Sequence, residues 1–299
     1  MITCIGDCIV DTTVDEDGRA TSYPGGAGLN LAVGVSLLGA HACLIARVGA
    51  DAPGFSLRRR LRERNVRLIE TPNTDYTGVA YSRRLNGEPV YAFNPSMFRR
   101  RFAMTQEAQQ AIAGSAIVAV NSFPFEAADQ VASLVDALGH CARMVVIDPN
   151  PRAALVPNVE AFRAGLARVL TVADVLKISE EDVHFLFSED ASIDPARLPR
   201  GRAKAVLLTR GAEGASLLTA DGLRLDAPAA VDRRPVVDTM GAGDATLASI
   251  LTFLSEIDDM PRPSEWSACL ERAMAIAAAT CRSHGATLRL PESLPNDDV

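Results

Sequence analysis

Histidine is scarce in this chain, Cys-x-x-Cys pairs are absent, and no apolar run approaches the length needed to cross a bilayer. The four histidines, at 41, 140, 184 and 284, form no metal-ligand spacing, so each reads as an ordinary surface or packing residue. The six cysteines, at 4, 8, 43, 141, 269 and 281, mostly sit among apolar residues, as expected for reduced, buried thiols in a cytoplasmic protein. Met1 to Ile5 runs straight into a strand pattern with no basic segment or cleavage site, and a soluble protein with no membrane partner is expected. A Gly-x4-Gly-Lys-Ser/Thr run is missing, which removes the P-loop. Gly26-Ala27-Gly28 continues to Leu31 where a dinucleotide fingerprint needs its third glycine, which makes that fold a poor fit.

What is present is apolar and acidic. Hydrophobic residues make up 48% of 299, ample for a sizeable core, and no repeat or low-complexity linker divides the chain, so 1–299 is expected to be one domain. A formal charge of -7 argues against a nucleic-acid partner. Two basic clusters stand against that background. Arg58-Arg59-Arg60-Leu61-Arg62 reads as a solvated helix face, and Arg99-Arg100-Arg101 follows a turn that could be solvated or lie near an anionic ligand.

Strand-like runs at about 2–9, 42–48, 117–122, 143–148, 174–179 and 205–210 alternate with helical patterns near 26–39, 53–64, 105–113, 126–138 and 180–187. Such alternation predicts an α/β fold with a largely parallel central sheet. Asn86-Gly87 and Asp221-Gly222 are two-residue turn signals that predict two hairpins.

The densest signal is Asp238-Thr239-Met240-Gly241-Ala242-Gly243-Asp244. Pro235-Val236-Val237 before it is strand-like, and Leu247, Ile250, Leu251, Leu254 and Ile257 after it recur at helical spacing. Glycines allow a sharp turn and a close ligand approach. The N–H groups of a first helical turn lack internal partners and carry the positive end of the macrodipole, which suits a phosphate. Asp244 then stands where a hydroxyl attacking that phosphoryl group would sit. A plain dipole partner in a first turn is the competing reading.

Asp-Thr-x-Gly-Ala-Gly-Asp resembles the C-terminal signature of the ribokinase-like (PfkB) family of sugar and nucleoside kinases. Its N-terminal companions are matched by Gly25-Gly26-Ala27-Gly28-Leu29-Asn30, by Gly6 with Asp11, and by Val48-Gly49-Ala50-Asp51-Ala52-Pro53-Gly54. Asp148-Pro149-Asn150-Pro151-Arg152 and Thr209-Arg210-Gly211-Ala212-Glu213-Gly214 extend the resemblance over nearly the whole chain. The Asp-x-Asn-x-Arg run is similar to that of fructokinase-like and 2-keto-3-deoxygluconate kinase-like members, as Lys177-x-Ser179-Glu180-Glu181 is to the fructokinase-like form.

The resemblance implies a three-layer ribokinase-like fold, a mostly parallel sheet flanked by helices, with a small β lid from segments at about 9–23 and 74–98. It implies ATP-dependent transfer to a sugar hydroxyl, with Asp244 as base and Gly241, Ala242 and Gly243 as an anion hole. Asp11, Gly25, Gly26, Asn30, Asn150 and Arg152 would bind the sugar, and Lys177, Thr209, Gly211 and Gly214 the nucleotide. ATP and magnesium are the implied cofactors, with potassium a further candidate. Asp182 would reach magnesium through water and Asp238 would hold the monovalent cation. The family's Asn-x-x-Glu motif is here Ser179-x-x-Asp182, a pair that also reads as a helix cap. The final helix, around 266–282, would pack near the adenine.

Fructose or a related ketose or sugar acid is the expected substrate. Phe93-Asn94-Pro95-Ser96-Met97-Phe98 stands where fructokinase-like members carry Arg-Asn-Pro-Ser-Ala-Asp, so the lid wall is more apolar and a nucleoside kinase is the alternative. A sugar-binding regulator without catalysis is a third reading. Exposed lid edges predict a possible homodimer.

Overall fold

A computed structural model describes residues 1–292 apart from 16, 86–87, 142 and 188–193. The strands are β1 (Ile2–Gly6), β2 (Ile9–Val14), β3 (Ala20–Gly25), β4 (Ala42–Ala46), β5 (Arg67–Glu70), β6 (Val79–Leu85), β7 (Glu88–Phe93), β8 (Ile117–Asn121), β9 (Met144–Asp148), β10 (Val175–Ser179), β11 (Ala205–Thr209), β12 (Ala215–Thr219) and β13 (Arg224–Ala227). The helices are α1 (Ala27–Leu37), α2 (Ala52–Glu63), α3 (Gln106–Ala113), α4 (Ala128–Leu138), α5 (Val159–Val169), α6 (Glu180–Phe187), α7 (Ala242–Glu256) and α8 (Pro263–Thr280).

Nine strands form the central sheet in the order β13-β12-β11-β10-β9-β8-β1-β4-β5. From β11 to β5 every pairing is parallel, and β12 pairs antiparallel with both its neighbours. Strands buried on both faces explain the unbroken apolar runs that the sequence shows. Cys4 on β1 faces a core with residues of α1, α2, α7 and α8, while Ile5 faces a second core with residues of α3, α4, α5 and α6. The result is three layers.

β1 connects through α1 to β4 on one side, while β8, β9 and β10 continue on the other. The carboxyl ends of β1 and β8 therefore meet where the strand order reverses, the place at which open parallel sheets hold ligands. Both helices that arrive there are buried almost all round. Ala27 to Val35 of α1 and Asp244 to Thr252 of α7 are buried without interruption, α1 packs on α7, and α7 packs on α8. Helices buried this far round are held rigidly by packing on all sides.

A second sheet, in the order β3-β2-β6-β7, stands over that edge. β2 and β6 pair in parallel from Val10↔Val79, and the outer strands pair antiparallel. Ile9, Ala80, Met97 and Leu155 form a small core beneath it, with Phe93 packed against them. The lid expectation is met by these strands, although the Asn86-Gly87 turn lies outside the described residues.

Three local expectations need correction. The run 2–9 is two strands, because β1 ends at Gly6 and the chain turns into the lid at Ile9. Pro235-Val236-Val237 is not a strand. Val236 is 60% exposed, and the Val237 N–H donates to the Cys281 carbonyl at 2.9 Å, so the segment hangs on the end of α8 instead of a ladder. Arg58 is not a purely solvated charge: it donates to the Gly49 and Val48 carbonyls and to Glu70. Helix α5 and strand β5 add to the elements that the sequence patterns predict. Among the described residues no helix is long and apolar enough to cross a membrane.

Candidate active site

The pocket at the β1/β8 junction is lined by Asp7, Asp11, Gly26, Asn30, Ser122, Arg152, Gly241 and Asp244, with Ile9, Ala80, Tyr91, Phe93 and Met97 on the lid side. Residues more than two hundred positions apart meet here. Asp244, in the first turn of α7, is buried, and each carboxylate oxygen accepts one amide. Asn30 Nδ2 donates to Oδ2 at 3.0 Å, and Asn121 Nδ2 donates to Oδ1 at 3.0 Å. Burial pushes the Asp244 carboxyl above its ordinary value, while Asn30, Lys177, Arg152 and Asn121 pull it back.

α7 begins at Gly241, whose φ of 80° lies in the left-handed region. A Cβ there would also stand 2.5 Å from the Ala286 carbonyl oxygen, so only glycine fits. The Ala242 N–H points at the Thr239 carbonyl, 3.3 Å away. Asp238 organises this approach: Oδ1 accepts the Met240 N–H and Oδ2 accepts the Gly285 N–H, both at 3.0 Å. Asp238, the residue that the resemblance links with a monovalent cation, is thus adjacent to Gly285.

At the other end, Gly25 lets β3 pass against Asp11. A Cβ on Gly25 would fall 1.9 Å from Asp11 Oδ2. Burial pushes the Asp11 carboxyl up to about 6, against the opposing pull of the Gly26 N–H and Arg152. Arg152 is exposed at the pocket, whereas Asn150 lies deeper and donates from Nδ2 to Asn121 Oδ1 at 2.9 Å. Asn150 therefore touches a partner of Asp244.

Lys177 is buried on β10, with Nζ 2.8 Å from Asp148 Oδ2, and Asp148 Oδ1 has no hydrogen-bond partner. Burial disfavours the ammonium, yet Asp148, Asp182 and Asp244 outweigh it and hold Lys177 charged. Ser179 and Asp182 form a reciprocal cap on α6. Ser179 Oγ accepts the Asp182 N–H at 3.1 Å, and Asp182 Oδ2 accepts the Ser179 N–H at 3.0 Å. Thr209 pairs with Ser179 at the same sheet edge. Gly211 and Gly214 follow at positive φ, and a Cβ on Gly214 would stand 2.1 Å from the Ala227 carbonyl oxygen, so its tight turn also serves β13.

Four residues of the site carried no motif. Asp7 and Ser122 line the pocket, Asn121 reaches Asp244, and Arg100 lies beneath with 4% of its side chain exposed, donating to Asp7 Oδ2 at 2.7 Å and the Ser122 carbonyl at 3.3 Å. The basic run 99–101 was visible in sequence, but its middle member faces inward while Arg99 and Arg101 pair with Asp75 and Asp129 outside. Phe93 and Met97 reach the pocket as the lid reading expects, whereas Phe98 is 62% exposed and does not line it.

A parallel sheet with a carboxylate-lined pocket at its switch point, facing a glycine-capped helix N-terminus and a buried Asp, suits transfer of a phosphoryl group to an alcohol. The pfkB family carbohydrate kinase model matches residues 1–293, and the chain belongs to that family. It is 30% identical over 303 residues to a fructokinase of Klebsiella pneumoniae, covering 97% of this chain and 96% of the relative. A fructokinase of Escherichia coli is 29% identical over 296 residues, at 96% and 95% coverage. The fold matches the fructokinase of Vibrio cholerae O395 in its fructose, ADP and calcium form, with TM-score 0.81, 24% identity, and coverage of 97% and 95%. It also matches aminoimidazole riboside kinase from Salmonella enterica, with TM-score 0.80, 22% identity and 98% coverage of both chains. The ribokinase-like expectation holds.

Proposed function

We propose that this kinase transfers the γ-phosphate of ATP to a hydroxyl of fructose. The observation that carries the reading is the Asp244 carboxylate, fixed at both oxygens in the first turn of α7 and open to the pocket that Asp11 lines. Asp11, with Asn30 and the Gly25-Gly26 backbone, would hold sugar hydroxyls, and Arg152 would close the rim. Asp244 takes the proton of the attacking hydroxyl as the O–P bond forms and ADP leaves. Phosphoryl transfer through a loose transition state rewards positioning over basicity, so a carboxylate suffices. The Gly241 and Gly243 N–H groups would face the developing charge, because the Ala242 N–H is already directed at Thr239.

Lys177, Thr209 and Gly211 sit along the edge where the nucleotide phosphates would lie. Magnesium brought with the nucleotide would supply neutralisation of phosphate charge there. Asp182, an oxygen donor already oriented by Ser179, suits a water-mediated contact with it, as hard cations prefer. Asp238, with the backbone around Gly285, would hold potassium. The lid sheet ends in the edge strands β3 and β7, which no further strand among the described residues covers, and that supports a homodimer closed lid on lid.

Ile9, Tyr91, Phe93 and Met97 favour a second reading, a nucleoside or another sugar with an apolar aglycone. ADP release measured with fructose, ribose, 2-keto-3-deoxygluconate, adenosine and pseudouridine separates the two. Highest kcat/KM on fructose supports the first reading, and highest kcat/KM on a nucleoside replaces it.

A further inference from the structure

Asn121 is fully buried at the end of β8, and both ends of its amide are committed. Its Oδ1 accepts from Asn150 at 2.9 Å, and its Nδ2 donates to Asp244 at 3.0 Å. The two bonds are consistent in one orientation only: an amide oxygen turned to the Asn150 donor presents the NH2 group to the carboxylate. The backbone around this contact is unusual. Ser122, directly after Asn121, has φ 59°, and Asn150 has φ 38°, both non-glycine residues in the left-handed region at the ends of two paired strands. Strain of this kind persists where the surrounding structure over-determines it, and it gathers at functional sites.

We infer that Asn121 is a positioning residue which, clamped by Asn150, aims the Asp244 carboxylate at the acceptor hydroxyl and keeps it ionised. The inference rests on Asp244 as the base, and it gives Asn150 a role within the protein in place of sugar contact. Asp244 is faced by Lys177 from β10, by Arg152, by Asp11 from β2 and by Asp148 from β9. Two cations and two acids surround it, and the Asn30 and Asn121 amides add a direct donor to each carboxylate oxygen. A donor to the ionised form lowers a carboxyl pKa, and removing it raises that pKa. A base that must be ionised then loses activity at a higher pH than before.

Three folded variants test this: Asn121→Ala, Asn121→Asp and Asn150→Ala. The pH dependence of kcat is read by ADP release with whichever sugar the wild-type protein turns over, and the Asp244 carboxyl is titrated by 13C NMR, assigned with Asp244→Asn. The acid limb is expected to rise by about one pH unit in Asn121→Ala and by more in Asn121→Asp, where a second carboxylate would stand beside the first. Asn150→Ala should move it in the same direction by less. The KM for sugar and ATP should change by less than about threefold, as for a group that does not touch either. A limb and a carboxyl titration that stay in place in Asn121→Ala would overturn the inference, even if its melting temperature fell, because packing alone would then explain the residue. Full turnover by Asp244→Asn would instead remove the base itself, and the NMR titration keeps the two failures apart.

Discussion

The Lys177 ammonium stands 3.3 Å from the point where a Cβ on Gly243 would lie. A single buried cation from β10 thus faces the first turn of α7 and, on its other side, the Asp148 carboxylate at 2.8 Å. The positive end of the helix and the charge of a lysine converge on the place where phosphoryl charge would develop.

Removing that lysine leaves a buried carboxylate alone. Lys177→Met should destabilise the fold by about 3–5 kcal/mol, the usual loss when one partner of a buried pair is deleted. Adding Asp148→Asn should recover most of the stability, since no charge is then stranded, without recovering turnover. Denaturant melts and ADP release on the two variants decide the matter. Wild-type kcat in the double variant would take Lys177 off the phosphoryl path.

Asp244→Ala should keep its circular dichroism spectrum and lose at least about 10²-fold in kcat, the scale of a general base. The test is steady-state turnover at saturating ATP. Near-normal turnover would refute the assignment.

Asp11 should make sugar affinity depend on pH. Burial lifts its carboxyl to about 6, so protons bind it at a higher pH than an ordinary aspartate. The ionised form is acceptor-only at both oxygens, whereas protonation turns one of them into a donor. Sugar KM is expected to climb as pH falls through about 6, by roughly tenfold per unit once the acid form dominates, while ATP KM stays level. Asp11→Asn should weaken sugar binding and flatten that profile.

Gly241→Ala and Gly222→Ala form a matched pair. Both glycines have positive φ, 80° and 91°, but a Cβ on Gly222 meets nothing within 4 Å, whereas one on Gly241 meets the Ala286 backbone at 2.5 Å. The left-handed conformation costs about 1–2 kcal/mol in either variant. Gly241→Ala should lose more than that and also lose kcat, while Gly222→Ala keeps its kcat. Equal melting temperatures in the two variants would contradict the crowding at Ala286.

The sequence made legible what is local or carried by dense motifs. The parallel strands, Asp244 at the mouth of α7, Gly25-Gly26 and the Ser179 cap all follow from neighbours a few positions away. Asn121 was hidden and the inward turn of Arg100 within its basic run was not legible, because their partners lie 123 and 93 residues off, and no spacing rule links an Asn at a strand end to an Asp at a helix start. Pro235 to Val237 failed for the opposite reason: its composition favours a strand, but the fold offers it no neighbour to pair with, and the end of α8 takes its hydrogen bonds instead. The lid signalled its apolar wall through Phe93 and Met97, while the outward turn of Phe98 depends on a tertiary path that composition does not encode.

The hydrogen bond between Asn30 and Asp244 spans 214 residues. On a ribosome adding roughly 5–20 residues per second, the half of the pocket that holds Asp11 and Asn30 emerges roughly 10–40 s before its base is made. Over that interval a nascent chain has no carboxylate to activate an acceptor and no α7 to cover α1, whose apolar surface awaits it. Chaperone binding to stalled chains that end before residue 242 follows from this delay, and so does an absence of ATP turnover by any such truncated product.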